Sequence, residues 1–348
     1  MWLISLLCSL FSWLSTDNPA LISPNSLARG HLPVVVADSK GAAHLVFGQD
    51  STIYYAVSSK YTAFDQPIAV ATLSQLVAGA KRGPQVAVTD KYVVITAVNR
   101  AGDIFAYSLD RKSGKWSPAA RINDVPEIAK EGFQAVAGTA ANTFYATWLD
   151  LRDDKHNKIV MAASRDGGRT WSTNRVVYRS PSGSVCECCK VSIAANQNDV
   201  YIQFRNWVDG GRDLYLAHSS DGGVNFASAQ KLGVGTWKLN ACPMDGGALT
   251  LLTKGQPLTV WRRENTLYSC RPGEPEQPIA VGHNISAATN ASNTALAWDE
   301  NGMIWLKLNT NKPVTLGKGQ LPSVAVSKKT ALCVWEMEGQ VKTASLSF

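Results

Sequence analysis

The chain has 348 residues, 45% of them apolar and 18% charged, with a formal net charge of +7. These values exclude a disordered polymer and leave room for either two average domains or one large all-β domain. Lysine and arginine are scattered, with no basic run or basic helix, which argues against nucleic-acid binding and leaves anionic small ligands compatible.

The opening segment "MWLISLLCSLFSWLS" is apolar from Trp2 to Leu14. It is read as a secretory signal over residues 1–16, against a short buried strand or an anchor, although it lacks a positive n-region. It is too short to span a bilayer, and no later stretch is long enough. Removal of the signal takes Cys8 with it. Six cysteines then face an oxidising compartment, so a secreted or periplasmic location is expected. Sequons at Asn284 and Asn290 carry meaning only in a eukaryotic host.

The rest, 17–348, repeats a four-strand phrase. "NPALIS" at 18–23 has the form of a fourth strand and stands alone. Unit one follows as "LPVVVA", "AHLVF", "TIYYAVS", "QPIAVAT". Unit two reads "GPQVAV", "YVVITAV", "DIFAYSL", "PAARIN", and unit three "GFQAVA", "TFYATW", "IVMAAS", "NRVVYRS". Unit four is "CKVSIA", "VYIQF", "LYLAHS", "AQKLGVG", and unit five "GGALTL", "LTVW", "TLYSC", "QPIAVG". Unit six is "NISAAT", "TALAW", "MIWLKL", "KPVTLG". Unit seven has only three strands: "LPSVAV", "TALCVW", "QVKTASL". The orphan strand at the start supplies the missing fourth strand at the end. An all-β propeller of seven four-stranded blades, closed by its N-terminal strand, is expected; six blades is the alternative because units five to seven are short. Closure removes free sheet edges, so a monomer is the expected state.

"SRDGGRTWS" at 164–172 fits S-x-D-x-G-x-T-W. "SSDGGVNF" at 219–226 is a relaxed copy and "SLDRKSGKW" at 108–116 a degraded one. Each lies between a third and a fourth strand. Asp166 is placed to accept main-chain N–H groups across the turn, Gly167 and Gly168 to take positive φ, and Trp171 to cover the hairpin base. The pattern resembles the Asp-box (BNR) repeat of the sialidase-like propellers. In that family the box stabilises a turn on the face opposite the usual binding site.

Chain direction alternates within a blade, so second-to-third and fourth-to-first loops share one face. The longest polar connections all fall there: 149–158, 183–190, 204–213 and 235–247. They bring Cys186, Cys188, Cys189 and Cys242 to one region. Three chemistries compete for these thiols. They can form two disulfides, one of them strained; they can ligate zinc or copper; or one can act as a nucleophile, although no base is evident. C-x-C-C differs from the C-x₂-C spacing of zinc knuckles. His156 is a further candidate ligand. No cofactor is dictated. Cys270 and Cys333, on strands, read as small apolar core residues.

Arg152, Arg205, Arg212, Arg262 and Arg263 lie at or beside the same loops. The resemblance to sialidases implies a carboxylate clamp of three arginines, for which Arg205, Arg212 and Arg262 are the candidates, with Asp150 or Asp153 as proton donor. Each arginine also has a structural reading as an ion pair with a neighbour, notably Arg152–Asp153 and Arg212–Asp213. The chain departs from the family in lacking an Arg-Ile-Pro-like motif, having only "ARGHLP" at 28–33, and in having no tyrosine after Tyr268. The "CECC" and "ACPMDGG" loops resemble a bacterial subgroup of those propellers. The expectation is an exported glycoside hydrolase or glycan binder for an acidic glycan, with a metal-binding or disulfide-stapled scaffold as alternatives.

Overall fold

The computed structural model describes residues 20–59 and 63–347. The segment read as a signal, with Cys8, lies outside the described residues. Seven antiparallel sheets succeed one another along the chain, and the seventh closes the ring. Its order is Ala20–Arg29, Gln340–Ser347, Thr330–Met337, Gln320–Val326, so the first strand of the chain completes the last blade. The seven-blade expectation holds. The closing strand is longer than the "NPALIS" reading, because pairing continues to Arg29 opposite Gln340.

The innermost strands are His31–Ala37, Gln85–Val88, Gln134–Gly138, Ser192–Asn196, Ala248–Leu251, His283–Thr289 and Gln320–Val326. Second strands read as near-continuous apolar runs because neighbouring blades cover both their faces. Phe144–Asp150 is buried at every position, and Tyr92–Val98 at every position after the first. Fourth strands sit on the rim and shorten where solvent replaces a neighbour: Gln230–Lys231 has two residues, and in blade two the fourth position is split into Lys115–Trp116 and Ala120–Arg121.

The core lies between blades. Trp148 and Phe144 of blade three pack with Val94 and Ile104 of blade two, and Trp335 of blade seven with Leu306 and Leu316 of blade six. The turns carrying Asp166 and Asp221 also bridge blades. Asp166 accepts from Ser164 Oγ (2.8 Å), the N–H groups of Arg169 and Thr170 (3.1 and 3.0 Å) and Thr170 Oγ1 (2.7 Å). Gly167 has φ +79° and stands against Tyr92 of blade two, where a Cβ would come within 2.7 Å of the ring. Asp221 repeats the pattern with Ser219, Val224 and Asn225. The antiparallel pairing in every blade puts these turns on one face and the second-to-third and fourth-to-first loops on the other.

Asp166→Ala removes the common acceptor of four hydrogen bonds and is expected to cost about 1–3 kcal/mol of unfolding free energy. Denaturant titration of wild type and variant measures it. A loss below about 0.5 kcal/mol shows that the turn does not depend on this carboxylate.

Candidate functional site

Main-chain bonds draw the long loops into one surface. Val185 N–H donates to Asn157 O (3.0 Å), Cys186 N–H to Arg205 O (3.0 Å) and Arg212 N–H to Trp237 O (2.9 Å). Blades three, four and five are thereby laced together above the ring. The three sulfurs of Cys186, Cys188 and Cys189 are buried and stand 3.6, 3.6 and 4.0 Å apart. Cys242 arrives from the next blade and forms a disulfide with Cys188, with Cα atoms 6.2 Å apart. The two-disulfide reading is corrected to one bridge, because Cys186 and Cys189 are free. Met244 packs over the group. Cys270 and Cys333 are buried strand residues, as expected. His156 is exposed beside Asp154 and is not part of the sulfur group.

Cys186 and Cys189 share a hydrogen bond, and Arg212 Nη1 donates to Cys186 Sγ at 3.0 Å. That shared bond and the nearby Arg212 and Arg205 guanidinium groups hold the Cys186 thiol below its usual range against the effect of burial. Burial and the neighbouring Cys186 push Cys189 the other way.

The three candidate clamp arginines converge here, each with a different task. Arg205 is 1% exposed. Its Nε and Nη2 donate to Asp245 O (3.1 and 3.0 Å), Nη1 to Arg212 O (2.6 Å) and Nη2 also to Arg262 O (3.0 Å). Arg262 donates to Asp245 Oδ2 (2.6 Å), Glu264 O (2.6 Å) and Pro243 O (3.0 Å). Trp237 presents its face to both, 5.2 and 5.0 Å from the guanidinium carbons. Arg212 is only partly buried; besides Cys186 it donates to Leu239 O (3.1 Å) and lies 4.7 Å over the exposed Trp207 ring.

Asp150 is fully buried and accepts from Trp148 Nε1, Arg152 N–H and two guanidinium nitrogens of Arg152 at 2.7–2.9 Å. Asp153 is exposed and pairs with Arg179 at 2.5 Å. The ion pairs expected between sequence neighbours are replaced: Arg152 takes Asp150 and Asp124, and Asp213 takes Lys231 at 2.9 Å. Adjacent residues on a twisted strand end point apart, so the partners come from two residues away or from another strand.

Sequence reading passed over four residues. Lys81, Lys190, Met244 and Asp245 line a cavity of about 240 Å³ in the centre of the ring, together with Gln85, Asn284 and residues of the inner strands. Lys81 Nζ donates to Met244 O at 2.5 Å. Lys190 is partly buried; burial lowers its ammonium pKa, and Lys81 adds to the effect while Asp245 opposes it. Gly246 lets the two loops touch, since a Cβ there would stand 2.3 Å from Lys190 O. Lys190 directly follows "CECC", and its role shows only once the ring brings residues 81 and 245 beside it.

No family model matches the chain, and no curated protein matches it in sequence. Solved structures match in fold. An ulvan lyase of a polysaccharide lyase family superposes with a TM-score of 0.60 at 10% identity, over 93% of this chain and 95% of that one. A Hadza microbial sialidase gives 0.52 at 10% identity, over 93% and 68%. A virginiamycin B lyase from Staphylococcus aureus gives 0.55 at 11% identity, over 95% and 100%. At such identities the likeness is one of fold, and these proteins include both lyases and a sialidase. The class that fold and loops define is a seven-bladed β-propeller with its chemically distinctive residues gathered on one face.

The start of the 235–247 loop hangs on Glu276, which accepts from Val234 N–H (2.5 Å), Gly235 N–H (3.0 Å) and Arg263 Nη1 (2.6 Å). Burial raises its pKa, but the Arg263 ion pair and the two N–H groups outweigh burial and bring it to about 2, from an ordinary 4.5. A depressed folded pKa stabilises the fold above pH 4.5, and the contribution fades as pH falls towards 2. Glu276→Gln is therefore expected to be about 1.5–3 kcal/mol less stable at neutral pH, with the gap to wild type closing between pH 4.5 and 2. Denaturant midpoints across that range test it; a gap independent of pH contradicts the assignment.

Proposed function

We propose that the chain is an exported propeller that binds an acidic glycan, or a chemically similar anion, on the face that carries the cysteine loops. Lys190 carries the reading. It stands at the central cavity with no hydrogen bond and no ion pair within 4.0 Å among the described residues, and Lys81 adds a second positive charge beside it. A partly desolvated cation without a partner is costly, and an arriving carboxylate or sulfate relieves that cost. Asp245 does not fill the role, since its carboxylate is engaged by Arg262.

Neutral donors and an apolar platform complete a saccharide-compatible surface. Asn284 and Gln85 line the same cavity. Trp207 is 42% exposed beside the cluster and offers a flat face to a sugar ring. Arg212 stacks on that tryptophan and keeps Nη2 unbonded among the described residues. The similar fold of an ulvan lyase and a sialidase supports the glycan class.

Sialidase-type hydrolysis is the sharper form of the same reading. Asp150 or Asp153 then protonates the leaving oxygen, and Arg205, Arg212 and Arg262 hold the sugar carboxylate. Among the three, Arg212 has the most open donors, whereas four bonds from Arg205 already end on carbonyl oxygens. Binding therefore ranks ahead of hydrolysis.

Calorimetry with sialylated, uronic-acid and sulfated oligosaccharides tests the binding. Lys190→Ala is expected to weaken the best ligand by about 10–100-fold, with a loss that shrinks at high salt. Absence of binding to every acidic saccharide, or an unchanged affinity in the variant, overturns the proposal. Turnover of a fluorogenic sialoside, abolished in Arg212→Ala, decides for hydrolysis; binding without turnover decides against it.

A further inference from the structure

The sulfur cluster has a geometry that the glycan reading leaves unused. For a triangle with edges of 3.6, 3.6 and 4.0 Å, the point equidistant from Cys186, Cys188 and Cys189 Sγ lies about 2.2 Å from each. That is close to a metal–thiolate bond of about 2.3 Å. A linear Cu(I) pair does not fit: it needs sulfurs about 4.6 Å apart, whereas Cys186 and Cys189 stand at 3.6 Å, close to the edge of about 3.8 Å in a tetrahedral thiolate site. For Cu(I) the third sulfur is required, and for an all-sulfur zinc site the third and fourth are; Cys188 and Cys242, which are bonded to each other, supply them.

The surroundings favour a soft cation as well. All three cysteines are buried, and the thioether residue Met244 packs on them. Arg212 lies 3.0 Å from Cys186 and Arg205 is close behind, so the excess negative charge of several thiolates is offset by fixed positive charge. No carboxylate belongs to the group, which disfavours hard ions such as calcium and magnesium.

We propose that Cys186, Cys188, Cys189 and Cys242 form a reduction-gated site for a thiophilic closed-shell ion, Cu(I) or Zn(II). In the oxidised chain the Cys188–Cys242 disulfide removes the third ligand. A dithiol reductant transfers two electrons and two protons to that bond, giving two thiols and leaving the reductant as its own disulfide. The ion then binds Cys186, Cys188 and Cys189 as thiolates, and the thiol protons pass to solvent. Cys242, released next to Cys188, is the fourth ligand if the ion takes tetrahedral coordination. This site and the anion site at Lys190 are independent proposals.

The test uses the full chain, before and after treatment with dithiothreitol and anaerobic desalting. Each form is titrated with Cu(I) against bathocuproine disulfonate and with Zn(II) against a chromophoric chelator. One equivalent retained by the reduced chain, and none by the oxidised chain, is expected for one of the ions. Cys186→Ser and Cys189→Ser are expected to lower retention by at least about 100-fold, while Cys270→Ser retains it. X-ray absorption on the loaded wild-type chain reads three sulfurs for a trigonal Cu(I) site or four for Zn(II), and remains decisive if a variant fails to fold. Retention of neither ion, equal retention in both redox forms, or a nitrogen- and oxygen-rich shell overturns the proposal.

Discussion

The working face depends on one buried cation. Arg205 leaves the end of a second strand in blade four and places its guanidinium where bulk water does not reach, with no carboxylate paired to it among the described residues. The charge is tolerated because carbonyl dipoles of Arg212, Asp245 and Arg262 surround it. Those carbonyls belong to two loops, at Arg212 and Asp245, and to the second strand of blade five at Arg262, so satisfying Arg205 fixes the loops relative to one another and to that strand. Asp245 stands next to Met244 and three residues from Cys242, so fixing it carries the bridging cysteine to the 186–189 triplet. A planar fork with five donors can hold several carbonyls at once, and the compact ammonium of a lysine cannot reproduce that geometry.

Much of this was legible in the sequence, for a definite reason. Strand phrases recur because every blade solves the same packing problem, and the orphan strand before unit one betrays ring closure by simple counting. The meeting of Cys242 with residues 186–189 follows from that closure and strand alternation, without reference to side-chain chemistry. Partnerships at the site were less legible. Arg152 finds Asp150 instead of Asp153, and Arg212 finds a sulfur instead of Asp213. Lys81 and Lys190 look like ordinary surface lysines in sequence, since they stand 109 positions apart and meet only across the ring's centre. Local spacing reports strands and turns; it is silent on contacts made through the axis of a closed ring.

The two faces divide stability from chemistry. Turns at Asp166 and Asp221 satisfy their carboxylates from within and lock glycines against the preceding blade, which leaves little capacity for a ligand. The opposite face holds a thiol pair, an aromatic platform and an ammonium unpaired among the described residues. Concentrating such groups is destabilising in a small domain, but a ring of seven blades with interlocked cores can carry them on long loops.

Residues 242–247 touch the sulfur cluster, the buried arginines and the two central lysines of that face. Cys242 bonds to Cys188, Met244 covers the sulfurs and takes the Lys81 hydrogen bond on its carbonyl, Asp245 anchors two arginines, and Gly246 lies against Lys190. The segment is therefore a shared wall between the sulfur cluster and the central cavity. The redox gating proposed for Cys242 would act first on this wall, which the disulfide holds at one end and the arginine clamp at the other. The stretch before Asp245 is itself pinned, Pro243 O by Arg262 and Met244 O by Lys81, and Met244 sits at φ +48°. That is the stretch whose carbonyl holds Lys81, so the chemistry of the sulfurs and the charge presented to the cavity meet at a single peptide.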